Sequence, residues 1–134
     1  MIDFGSWKMD NYSTPEWILD TFENYFDPCP LNENPDINGL EIEWKDKTFV
    51  NPPYSKPMPW VLKAIEESKK GKRIVMLLKH DSSTKWYAKL HEANANILLF
   101  SKRLKWKRYG DGIRGAKDKL FTYTSAFPSM LVIL

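Results

Sequence analysis

The sequence predicts an α/β fold: a mostly parallel sheet with an antiparallel C-terminal edge and helices on both faces. Two observations predict it. Short apolar, β-prone runs alternate with runs of helical period between Lys47 and Phe100, and the most distinctive motif, Asn51-Pro52-Pro53-Tyr54, stands at the end of one of the β-prone runs. Alternation of this kind implies crossovers onto a parallel sheet, with ligands at the carboxyl ends of the strands.

Residues 1–12 carry no periodicity and read as an extended arm ahead of one domain. Ser13-Thr14-Pro15-Glu16 has an N-cap residue, a first-turn proline and a Glu three positions after the Ser, and so predicts a capped helix continued by Trp17, Ile18, Phe22 and Tyr25. Pro28 and Pro30 stop it, and a short strand ends at Asp27-Pro28-Cys29. Leu31 to Glu43 is dense in turn formers and reads mainly as loop. Lys47-Thr48-Phe49-Val50 is a strand. Trp60, Val61, Ala64 and Ile65 mark a helix with Glu66, Glu67, Lys69 and Lys70 outside and Gly71 as its stop. Arg73 to Lys79 is a buried strand, and Ser82 or Ser83 caps a helix carrying Trp86, Tyr87 and Leu90. Ile97 to Phe100 is another strand. Leu104 to Tyr109, Leu120 to Thr124 and Met130 to Leu134 supply the antiparallel edge. Trp17, Trp60 and Trp86 lie on helices whose apolar faces pack on the sheet, so core is their expected role.

With 134 residues, 43% of them apolar, the chain has enough material for one core without disulfides or metals. The single Cys29 forms no internal disulfide, and with only His80 and His91 there is no spaced ligand set for zinc, so no metal is expected. No signal-peptide pattern and no apolar run of roughly 20 residues occurs, which predicts a cytoplasmic protein with no membrane partner. The net charge of +3 is unevenly spread. Lys102, Arg103, Lys105, Lys107, Arg108, Arg114, Lys117 and Lys119 crowd one segment with Trp106 and Tyr109 among them, a pattern suited to a phosphate backbone and equally to a solvated strand pair.

Asn-Pro-Pro-Tyr at a strand's end suits attack by a weakly nucleophilic amino group on an aromatic base. The Asn51 side-chain oxygen and the Pro52 carbonyl each accept one amino N–H, and neither Pro52 nor Pro53 offers a competing backbone donor. Tyr54 supplies a face for an extruded base, worth ~1–3 kcal/mol by stacking. The same four residues also make an ordinary turn. Asp27 suits an ammonium or a ribose hydroxyl, and no His or acid neighbour of Cys29 signals a thiolate of depressed pKa, so a packing or pocket-lining role is expected for it. Lys79-His80-Asp81 follows a strand and is expected at the same sheet edge as the motif.

The chain resembles the phage-type DNA N-6-adenine-methyltransferases, small members of the Rossmann-like class I methyltransferases. The resemblance covers roughly Ser13 to Leu134. It rests on Thr14-Pro15-Glu16-Trp17, Asp27-Pro28-Cys29, Asn51-Pro52-Pro53-Tyr54-Ser55, Val75-Met76-Leu77-Leu78 and Phe127-Pro128-Ser129. It implies transfer of a methyl group from S-adenosylmethionine to N6 of adenine in DNA, by base flipping of a duplex. Thr14, Pro15, Asp27, Pro28, Cys29 and Asn51 would hold the cofactor, Asn51 to Tyr54 would form the amino-group site, and Ser55 with Lys102, Arg103, Lys105, Lys107, Arg108, Arg114 and Lys117 would meet DNA. Larger members show a glycine-rich loop after the first strand, whereas this chain has Asn-rich turns and Gly39. The 21 residues from Pro30 to Val50 are too few for two strand-helix units, so a truncated Rossmann-like sheet is expected. Asp36, Glu41, Glu43 and Asp46 all remain open as the acidic contact to the cofactor. The same acceptor geometry would serve cytosine N4, RNA or a protein glutamine amide, a catalytically inactive nucleic-acid-binding protein is a further alternative, and a homodimer is compatible with all of these.

Overall fold

The computed structural model describes residues 14–30, 38–109 and 120–134. The elements run α1 (Glu16–Thr21), β1 (Lys47–Val50), α2 (Met58–Ser68), β2 (Arg73–Lys79), α3 (Lys85–Glu92), β3 (Asn96–Leu99), β4 (Lys105–Tyr109), β5 (Leu120–Thr124) and β6 (Ser129–Ile133). A four-stranded sheet has the order β1-β2-β6-β3, and β4 pairs with β5 in a separate antiparallel ribbon. β1 and β2 are parallel, while β6 is antiparallel to both β2 and β3. Phe26 extends the sheet beyond β1 through a parallel bridge to Thr48, its amide donating to Lys47 and its carbonyl accepting from Phe49.

The α/β expectation holds, but the sheet is mixed rather than mostly parallel, since two of its three strand pairings are antiparallel. β4 and β5 form a ribbon of their own instead of an edge of this sheet, and the antiparallel C-terminal strand β6 is not the edge but lies between β2 and β3. Its composition explains the position. Met130 and Val132 are buried on one face, and Leu131 and Ile133 are packed on the other, as an interior strand requires. The edge falls to β3, where Leu98 and Leu99 are 54% and 60% exposed.

Alternation along the strands divides the core in two. Val50, Ile74, Met76, Leu78, Met130 and Val132 face Trp60, Val61 and Ala64 of α2 and Leu90 of α3. Phe49, Val75 and Leu77 face Ile18 of α1 and Leu104. Both longer helices therefore share one face, and the short α1 covers the other.

Several local expectations change. The capping Ser13 lies outside the described residues, and α1 has Pro15 at its N-cap position with no side-chain cap. α1 stops at Thr21; Phe22 and Tyr25 lie beyond it, and Phe22 stacks on Phe49 at 4.9 Å. A helix of six residues buries only Ile18, so Trp17 is 55% exposed rather than core. Trp60 is buried and Trp86 packs half-buried against the core, as expected. Thr84, not Ser82 or Ser83, caps α3 by accepting from Tyr87 N–H. α2 ends at Ser68 with Lys69 as its C-cap, and Gly71, at φ 89°, takes the left-handed conformation that glycine tolerates best in the turn that follows.

Glu67, expected outside, is fully buried. Lys72 donates to it at 2.5 Å, with Lys63 at 3.1 Å and Lys70 at 3.4 Å, and Lys72 also reaches Glu43 and the Trp44 carbonyl. Three ammonium groups around one carboxylate make its burial tolerable. Burial raises the Glu67 pKa, but these hydrogen bonds, that of Lys72 foremost, outweigh it and hold the carboxyl at about 2.

Candidate active site

Because the Phe26 segment, β1 and β2 run parallel, their carboxyl ends share one sheet edge. Asp27-Pro28-Cys29, Asn51-Pro52-Pro53-Tyr54 and Lys79-His80-Asp81 all emerge there. β6 runs the other way, which brings Phe127 and Pro128, at its start, to the same edge. The His80 amide donates to the Pro128 carbonyl, and Tyr54 packs on Phe127 at 5.1 Å.

Asn51 leaves β1 half-buried, and its Nδ2 donates to Thr14 Oγ1 at 3.0 Å across 37 positions of sequence. That bond fixes the amide and turns Oδ1 to the other side. Oδ1 is buried and has no hydrogen-bond partner among the described residues. Buried acceptors are normally satisfied, so this one marks a place where a donor is missing. Pro52 is buried, and Pro53 and Tyr54 are half-buried. Burial pushes the Tyr54 phenol well above the usual range, so it stays neutral.

Asp27 lies beside the bridge at Phe26, and its Oδ1 accepts from Cys29 N–H at 2.9 Å. Partial burial raises its pKa, and the Cys29 amide opposes the rise. Asp27 also lines a groove of about 330 Å³ with Leu19, Phe22, Tyr25 and Phe49. Pro28 is buried, and Cys29 packs half-buried against the main core.

Gly39, read from the sequence only as a turn glycine, and Trp44, which sequence reasoning passed over, hold this loop. A Cβ on Gly39 would stand 2.0 Å from the Pro28 carbonyl oxygen and 2.9 Å from Trp60, so only glycine lets the backbones meet. Trp44 donates from Nε1 to the Gly39 carbonyl at 2.7 Å and stacks on Trp60. A lone glycine among Asn-rich turns was the available signal, but nothing local identified Pro28 as its neighbour.

Other predicted contacts divide. Ser55 is exposed next to Tyr54. Lys102, Arg103 and Lys105 are exposed beside Trp17 and Phe100, and Arg103 Nη1 approaches the Ser125 carbonyl at 3.5 Å. Lys107 and Arg108 lie on the backbone of β4, while Arg114 and Lys117 fall outside the described residues. Of the open acidic positions, Glu43 is taken by Lys72, Glu41 is exposed, and Asp46 borders a second groove with Asp27. Asp36 lies outside the described residues. Asp81 accepts from the hydroxyl and amide of Ser83, which lower its pKa and commit it to the turn before α3. Among the described residues no group of three or more His, Cys, Asp or Glu is placed to hold a metal ion, and no helix is long and apolar enough to cross a membrane.

The sequence model of the family described as DNA N-6-adenine-methyltransferase (Dam) matches residues 5–134. A DNA N-6-adenine-methyltransferase of Haemophilus phage HP1 (strain HP1c1) is 38% identical over 94 residues, covering 58% of this chain and 54% of that protein. Another of the same name, from Escherichia phage T1, is 33% identical over 104 residues, covering 66% of this chain and 44% of that protein. The chain thus spans about half the length of the curated relatives it matches. No solved structure matches it. With a family match running almost the whole length of the sequence, and the Asn-Pro-Pro-Tyr motif standing at a strand's carboxyl end, the chain belongs to the DNA N-6-adenine-methyltransferase (Dam) family.

Proposed function

We propose that this chain transfers a methyl group to the exocyclic N6 amino group of adenine in DNA. The observation that carries the reading is Asn51 Oδ1, a buried acceptor without a partner among the described residues, on a side chain locked by Thr14. An aromatic amino group supplies the missing donor. Asn51 Oδ1 accepts one of its hydrogens and the Pro52 carbonyl the other, which draws the nitrogen toward tetrahedral character and directs its lone pair. The surplus proton leaves to water. Tyr54, braced by Phe127, offers the base an aromatic face. In duplex DNA the adenine must leave the stack to reach this edge.

The donor set at the edge suits S-adenosylmethionine: the Asp27 carboxylate is matched to its ammonium or a ribose hydroxyl, and Thr14, Pro15, Pro28, Cys29 and Asn51 are the further residues this reading assigns to it. When bound, that cofactor supplies an electrophilic methyl group on a sulfonium, so the chain needs no metal for the transfer. A truncated Rossmann-like class I sheet is supported by three co-directional strands with helices on both faces and by candidate groups gathered at their carboxyl ends. Lys102, Arg103, Lys105, Lys107, Arg108, Arg114, Lys117 and Ser55 meet the phosphate backbone in this reading.

The test is methyl incorporation from labelled S-adenosylmethionine into unmethylated double-stranded DNA, followed by digestion and mass spectrometry of the nucleosides. Label in N6-methyladenine is the expected result. Label in N4-methylcytosine would keep the amino-group geometry and change the base, and an absence of label in DNA would overturn the proposal.

A further inference from the structure

On the face covered by α1, Pro15, Trp17, Phe100, Lys102, Arg103 and Lys105 line a groove of about 410 Å³. Trp17 is 55% exposed, although its ring is held edge-on to Phe100 at 5.7 Å and 78°. An indole held by an aromatic edge contact and more than half exposed therefore stands at the groove. The charged side chains that line the groove are all cationic. No ion pair among the described residues involves Lys102, Arg103 or Lys105, and neither Glu16 nor Asp20 of α1 lines the groove. The groove starts at Pro15, one residue from the Thr14 hydroxyl that holds Asn51.

We infer that this groove binds an unpaired nucleotide of the DNA strand, its base stacked on Trp17 and its flanking phosphates on Lys102 and Lys105, next to the amino-group site. This deepens the methyltransferase reading and rests on it for the identity of the strand. A fixed aromatic face ringed by cations recognises base and phosphate together, tolerates any base and sets the distance between the stacked nucleotide and Asn51. It makes Trp17 a positioning residue, with no part in the chemistry.

The experiment measures binding of fluorescent single-stranded oligothymidylate and of unmethylated duplex DNA by anisotropy across a salt series. Methyl transfer is measured on the same preparations. Trp17→Ala is expected to weaken oligothymidylate binding by roughly 5- to 100-fold with the slope of log affinity against log salt unchanged, and Trp17→Phe to recover most of the loss. Joint Lys102→Ala and Lys105→Ala substitution should instead flatten that slope by about 1–2. Trp17→Leu keeps apolar bulk against Phe100 and removes the aromatic face; it should bind as weakly as Trp17→Ala, which separates stacking from packing. Wild-type affinity in both Trp17→Ala and Trp17→Leu, or no DNA binding by the wild-type chain, overturns the inference. If the Trp17 dependence holds but no methyl is transferred, the groove stands and the activity falls; normal methylation with Trp17-independent binding gives the reverse.

Discussion

The two edges of the sheet treat buried polar groups in opposite ways. At the amino end of β2, Glu67 is fully enclosed and each of its oxygens is met by an ammonium. At the carboxyl ends, Asn51 is held on one side by Thr14 and carries a buried oxygen with no partner among the described residues. The first arrangement is complete in the chain itself, and the second leaves an acceptor open among the described residues. A saturated buried group is accounted for by folding, and an unsaturated one calls for an explanation beyond it.

The contrast breaks most directly at Asn51. Asn51→Ala should lower methyl transfer by about 10²–10³-fold, the usual effect of removing one positioned hydrogen-bonding group, with little change in thermal stability. Radiolabel incorporation and a melting curve on one preparation test it; wild-type turnover would remove Asn51 from the site. Glu67→Gln should do the reverse. It strands three lysines around a neutral amide and is expected to cost about 3 kcal/mol in urea denaturation, while the methylation rate per folded molecule stays unchanged. Gly39→Ala tests the link between the two, because it lies in the core behind the Asp27 loop. Overpacking against the Pro28 carbonyl should cost about 1–3 kcal/mol, and calorimetry with S-adenosylmethionine should show weaker binding as Asp27 shifts.

The smallest effect is one of pH. Glu67 titrates at about 2 in the folded chain against 4.5 in its unperturbed state. Its contribution to stability is therefore fully present above pH 4.5 and is lost as pH falls through 2. Melting temperatures between pH 5 and 2 should fall less steeply in Glu67→Gln than in the wild type, once both are referred to their values at pH 6. Parallel slopes would show that the lysines do not hold Glu67 ionised.

The sequence exposed the unsaturated edge better than the saturated one. Asn51-Pro52-Pro53-Tyr54 is contiguous, and its prolines announce a backbone without competing donors, so local reading reached it. The strand Arg73 to Lys79 was equally legible from its unbroken apolar run. Glu67 was not, because a carboxylate beside Lys69 and Lys70 on a helix looks solvated until Lys63 and Lys72 fold over it. Trp17 misled for a related reason: helical spacing identifies an apolar face, but a single and a half turns cannot bury all of it. The position of β6 depended on pairing between strands far apart in sequence, which composition narrows to an interior place and does not name.

That position has a consequence for how the molecule is made. β6 follows every other strand of the sheet in chain order, yet both of its neighbours must wait for it. Until residues 129–133 arrive, β2 and β3 each carry a bare hydrogen-bonding edge, and Leu77, Leu78 and Ile97 lack their cross-strand partners. Closure of the sheet thus relies on contacts of long sequence separation. The nascent chain is most open to mispairing and aggregation just before the strand that brings Phe127 to the candidate site is delivered.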